Sequence, residues 1–182
     1  IGNSELAASI ANKVSKKSKR LVLIIDGHLL KPSLDEIYRL KNIQTNIKSH
    51  LTGADNTGLN IALDTLTKGI DIGDHLEAIT KKVSPNLRVL LGNYNFYNYE
   101  HYDEKIIKSL LLKLQSHFQF IVLTVSDSPY DSLTMQGIHM SSINIFACGK
   151  QMKDIRYNYN LMKVLNAKQG ISQLKNLIVS VD

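Results

Sequence analysis

Residues 20–26 read "RLVLIID" and run on, at 27–37, into "GHLLKPSLDEI". Leu21 to Ile25 are apolar without interruption, so the segment does not alternate as a strand with one wet face would. A continuous β-branched run predicts a strand buried on both faces, the pattern of a parallel sheet covered by helices. Four more runs repeat it: "LRVLLG" (87–92), "FIVLTV" (120–125), "INIFAC" (143–148) and "NLIVSV" (176–181). Helical periodicity fills the intervals. "NSELAASIANKV" places Leu6, Ile10 and Val14 four apart, and "DEKIIKSLLLKLQSHF" (103–118) gathers Ile106, Ile107, Leu110, Leu111 and Leu114 on one side. "DIRYNYNLMKVLNAKQG" (154–170) does the same with Ile155, Leu161, Met162 and Leu165, and Gly170 marks a helix stop. Strands alternating with helices predict an α/β fold, a mainly parallel twisted sheet sandwiched by helices, over residues 1–182 as one domain. The stretch 41–86 reads as short helices punctuated by glycines, with its tightest helical pattern in "HLEAITKKV" (75–83).

At 182 residues, 43% of them hydrophobic, the chain can bury a full core. Basic residues exceed acidic ones, 22 to 16, giving a net charge of +6. Part of the excess sits in "KVSKKSKR" (13–20), which reads as a solvated turn between helix and strand, with electrostatic docking as the alternative. Cys148 is the only cysteine, so no disulfide can form within the chain, and its place at a strand end suits core filling in a reducing cytosol. The six histidines show no metal-ligand spacing. No apolar run approaches the roughly 20 residues that cross a bilayer, and no signal peptide is visible, which predicts a cytoplasmic location.

The opening "IGNSELA" sets a glycine and a serine at the mouth of a helix, ahead of an apolar strand ending in aspartate. That arrangement resembles the phosphate-binding loop of the MinD/ParA family of P-loop ATPases, whose loop ends "G-K-[ST]-[ST]-L-A". The likeness extends along the chain. "LVLIIDGHLLKPSLDEI" resembles that family's second strand and switch I, "LLLKLQSHFQFIVLTVSDSP" its Walker B strand with the preceding helix, and "SSINIFACGKQMKDIRYNYNLMKVL" the strand and helix that follow. Within the family, "PSLD" and "LRVLLGN" most resemble the CpaE/TadZ localisation proteins of Tad/Flp pilus systems.

The resemblance assigns positions, and several are altered. Gly2 matches the last loop glycine and Ser4 the Mg²⁺-binding hydroxyl, but Asn3 stands where the phosphate lysine belongs and Glu5 where a second Ser/Thr is usual. Asp26 matches the first switch I aspartate. His28 stands at the second, the family's catalytic position, where an imidazole can act as a base or simply as a partner contact. The Walker B aspartate falls on Thr124 if the long preceding helix sets the register, or on Asp127 if "DSP" matches the family's "DTP". The resemblance therefore implies weak ATP or ADP binding with Mg²⁺ at best, and a degenerate rather than working ATPase. It implies a positioning or scaffold role for an assembly such as a pilus or secretion system, a homodimer or pairing with a related subunit, and peripheral contact with membrane. The alternative is an active, divergent ATPase that dimerises on ATP. A ParA-like grip on DNA is the weakest reading, although the +6 charge favours it. Five aromatics in "GNYNFYNYEHYDEK" (92–105) mark a candidate protein-contact loop.

Overall fold

The computed structural model describes residues 3–28, 31–40, 58–92, 103–126 and 131–181. Its frame is a four-stranded sheet in the order β2-β3-β1-β4, with β1 at Val22–Gly27, β2 at Lys81–Ser84, β3 at Leu87–Leu90 and β4 at Phe120–Val125. β1 pairs in parallel with β3 on one side and with β4 on the other. β5 (Asn144–Cys148) and β6 (Asn176–Ser180) pair in parallel with each other as a separate two-stranded ladder. All five strands expected from the apolar runs are present, and the fold class is as expected.

β1 shows why its sequence is uninterrupted. Val22, Leu23, Ile24 and Ile25 have no exposed surface. Leu23 and Ile25 face a core built with Leu59, Leu63, Leu110 and Leu114, whereas Val22 and Ile24 face the other way, against Ala8, Ala11, Leu34 and Val89. The helices divide accordingly. α1 (Ser4–Ser18) and α2 (Leu34–Ile37) cover one face; α3 (Leu59–Thr67), α4 (Leu76–Ile79) and α5 (Glu104–His117) cover the other. α6 (Ser132–Met140) joins the two ladders: Leu133 belongs to the β1 core, and Ile138 packs with Phe146 of β5, Leu165 of α7 (Met152–Gln169) and Ile171. Gly170 caps α7 in the left-handed region (φ 66°), as its sequence position predicts. Cys148 ends β5, buried.

Two expectations are corrected. "HLEAITKKV" is helical only over its first turn: Thr80 turns extended (φ −111°, ψ 151°), and Lys81–Ser84 becomes β2, antiparallel to β3. Lysines suit this edge strand, where they discourage further pairing, and Val83 still reaches the core beside α1. On α1, the buried seam is Ala8, Ala11 and Ser15 rather than Leu6, Ile10 and Val14, which are half-buried. Small residues let the helix approach the sheet closely, and of the larger ones Val14 packs against the margin of the same core.

Candidate functional site at the carboxyl edge of the sheet

Asp26 is the penultimate residue of β1, at its carboxyl end, and it has no exposed surface. Its Oδ2 accepts hydrogen bonds from the amides of Ser33 and Leu34, both at 2.7 Å, so the carboxylate caps the first turn of α2. Across the ladder its register partner is Thr124, whose Oγ1 lies 3.4 Å from Asp26 Oδ1 and 3.3 Å from the Ile25 carbonyl oxygen. Burial pushes the Asp26 carboxyl above its ordinary value, against the pull of the Leu34, Ser33 and His28 amides and the Thr124 hydroxyl.

Two glycines make room for this arrangement. A Cβ on Gly92 would stand 2.4 Å from Pro32 Cβ and 3.2 Å from Asp26 Cγ. One on Gly27 would stand 2.5 Å from the Thr124 carbonyl oxygen. The backbone after β3 thus presses directly on the buried carboxylate, and the end of β1 presses on the backbone of β4. His28, next along, is half-buried; its Nδ1 is sequestered and has no hydrogen-bond partner among the described residues.

α1 points its N-terminus to the same edge. Its last turns, at Lys13 and Lys17, lie beside Phe120, the first residue of β4, so its first turn reaches the carboxyl ends of the strands. The Tyr38 hydroxyl, following α2, donates to the Ala8 carbonyl oxygen at 3.4 Å and ties the two helices together; burial pushes that phenol up to about 12. Asn3 is the N-cap of α1: its Oδ1 accepts from the Leu6 amide at 2.7 Å. Ser4 is the first helical residue, half-buried, and Glu5 is exposed in the first turn, where a negative charge complements the helix dipole.

A third group was not legible as a site residue set. Asp131 caps α6, its Oδ1 accepting from the Leu133 amide at 2.9 Å, while its Oδ2 accepts from Thr134 Oγ1 at 2.8 Å and Ser126 Oγ at 3.3 Å. The signal was present as an aspartate immediately before "SLT", an N-cap pattern. Gly2 and Asp127, and the aromatics Tyr94 to Tyr102, lie outside the described residues.

The fold therefore brings Asn3, Ser4, Glu5, Asp26, His28 and Thr124 to one edge. Their fit to a magnesium nucleotide turns on two of them. Asn3 brings no charge and its side-chain oxygen is held by its own helix, and both oxygens of Asp26 are engaged by α2 and Thr124. The phosphate position thus offers neutral amide donors in place of a cation, and the Asp26 carboxylate is turned to the chain's own donors, so these residues fit the group poorly. Among the described residues no three His, Cys, Asp or Glu side chains gather as a metal site.

A parallel sheet covered on both faces, with a helix N-terminus and a strand-end aspartate converging at its carboxyl edge, is the fold of the ParA- and MinD-type P-loop ATPases. Solved structures bear this out. A ParA family ATPase from Chlorobium tepidum superposes with a TM-score of 0.74 at 15% identity, over 96% of this chain and 66% of that one. A plasmid partition protein from Borrelia burgdorferi bound to AMPPNP gives 0.68 at 17%, over 96% and 68%. The MinC:MinD cell division protein complex of Aquifex aeolicus gives 0.66 at 13%, over 96% and 61%. At these identities the likeness is one of fold, and the chain spans about two thirds of the length of the structures it matches. No family model and no curated protein sequence matches it.

Proposed function

We propose that this chain is a MinD/ParA-like positioning or scaffold factor with a degenerate nucleotide site, serving a cell-surface assembly such as a Tad/Flp-type pilus or a secretion system. The observation that carries the reading is the state of Asn3 and Asp26: the first brings no charge and spends its oxygen on the Leu6 amide, and the carboxylate of the second accepts from the Ser33 and Leu34 amides. Surfaces freed from nucleotide chemistry are then available as protein contacts, since function resides in the site and not in the fold. Partners on this reading are a second copy or a related subunit, together with protein components of the assembly, at a cytoplasmic or membrane-peripheral location. DNA is not among them.

Calorimetry with ATP and ADP in the presence of Mg²⁺, paired with a phosphate-release assay, tests it. The expected result is negligible turnover and weak binding, with affinity raised by Asn3→Lys combined with Glu5→Thr, because that pair exchanges a neutral and a negative group for a positive and a neutral one. Robust hydrolysis by the unaltered protein, abolished by Ser4→Ala, would establish the divergent ATPase instead.

A further inference from the structure

The opposite edge of the sheet, where the strands begin, carries a charge pattern unrelated to the nucleotide position. Lys13, Lys16, Lys17, Lys19 and Arg20 are all exposed. The first three recur at i, i+3 and i+4 and so line one side of the end of α1. Lys16 and Lys17, in the last turn, complement the helix dipole; the other three cations lie outside that turn and are not explained by it. Among the described residues the ion pair present is Lys113 with Asp71, and it involves none of the five.

Beside them stands Phe120, a large aromatic that opens β4 with 43% of its surface exposed. A shallow groove of about 350 Å³ runs between helix and strand, lined by Lys13, Val14, Lys17, Ser18 and Phe120. The floor is apolar and the rim is cationic. A nucleic acid duplex presents phosphates outward and keeps its apolar groups recessed in its grooves and base stack, where they cannot enter such a groove, and a membrane surface calls for an apolar side chain that projects, whereas Phe120 lines the groove.

We propose that this edge is a docking surface for an acidic peptide segment of a partner protein, with one apolar anchor side chain seated between Val14 and Phe120 and flanking carboxylates on Lys13, Lys17 and their neighbours. The volume accepts a leucine or phenylalanine side chain, and the surrounding positive charge selects the sign of the flanks. The surface is independent of the nucleotide reading and stands or falls separately from it.

Fluorescence anisotropy with synthetic peptides tests it directly. The probe is a labelled peptide of glutamates and aspartates around a central Leu-Phe pair; the comparisons are the same peptide with Ser-Ser at the centre, a short DNA duplex, and vesicles containing phosphatidylserine. The anchored peptide is expected to bind, to weaken roughly tenfold when its anchor is removed, and to weaken again as salt rises from about 50 to about 300 mM. Phe120→Ser, and separately Lys13→Gln with Lys17→Gln, should each cost roughly tenfold with unchanged circular dichroism melts, these side chains being exposed or half-exposed. Equal binding of the Ser-Ser peptide, tighter binding of duplex or vesicles, or no binding of the anchored peptide at millimolar concentration would each overturn the proposal. Because the anchor is varied on the peptide, that arm reads out even if a protein variant misfolds.

Discussion

Asp26 concentrates the physical conflict of the molecule in one side chain. Burial disfavours its charge, yet its Oδ2 accepts the Ser33 and Leu34 amides that open α2. Asp26→Ala would leave two amides without their acceptor and should lower unfolding free energy by about 3 kcal/mol, measured by denaturant titration. Asp26→Asn isolates the charge. The native carboxyl holds its proton more readily than the unfolded one, so the native state binds more protons in the interval above the ordinary value of 3.8. Relative to Asp26→Asn, the unaltered protein should therefore gain stability as pH falls from neutral through that interval and stop gaining below it. A stability difference that moved the other way would show that the hydrogen bonds outweigh desolvation. Gly27→Ala is a simpler case: its Cβ meets backbone at the Thr124 carbonyl, which cannot swing aside, and a loss of about 2 kcal/mol is expected in the same titration.

At the scale of elements, legibility followed burial. β1 is readable because enclosure on both faces demands an unbroken apolar run, the other four expected strands because their runs stay apolar although β4 and β6 are partly exposed, and α5 because its four buried positions, Ile107, Leu110, Leu111 and Leu114, keep helical spacing. β2 was not readable: at a sheet edge its lysines face water, Val83 alone is anchored, and four residues are too few for a period to emerge. The seam of α1 was misplaced for a related reason. Hydrophobic size marks Ile10 and Val14, but close approach to β1 selects the smallest side chains, Ala8 and Ala11. That distinction has a consequence in the laboratory. Ala11→Leu, overpacking a position with no exposed surface, should destabilise by about 2 kcal/mol, more than Ile10→Ala at its half-buried position, and thermal melts of the two variants would rank them. At the carboxyl edge the sequence located Asn3, Asp26 and Thr124 but not what holds them. Capping by a side chain depends on where a loop returns in space, and the return of Ser33 and Leu34 to Asp26 leaves no periodic trace.

For the whole molecule the open question is association. The edge that gathers α1 and loop 27–33 is satisfied internally at Asn3 and Asp26, yet it leaves one polar atom, His28 Nδ1, sequestered without a partner among the described residues. On the proposed reading no nucleotide is required between two subunits, so residues 1–5 and 27–35 of one copy can meet the same residues of another directly. A two-fold axis through this edge is the simplest geometry, since each copy then offers the other the same surface. The expectation is a dimer in nucleotide-free protein at tens of micromolar, unchanged in mass when ATP and Mg²⁺ are added and reduced to monomer by Leu29→Glu, which brings a carboxylate into each half of the contact. Light scattering coupled to gel filtration measures all three. A monomeric mass throughout would sink the idea, dimerisation only on adding ATP would favour the working ATPase, and a dimer indifferent to Leu29→Glu would move the interface to another face of the sheet.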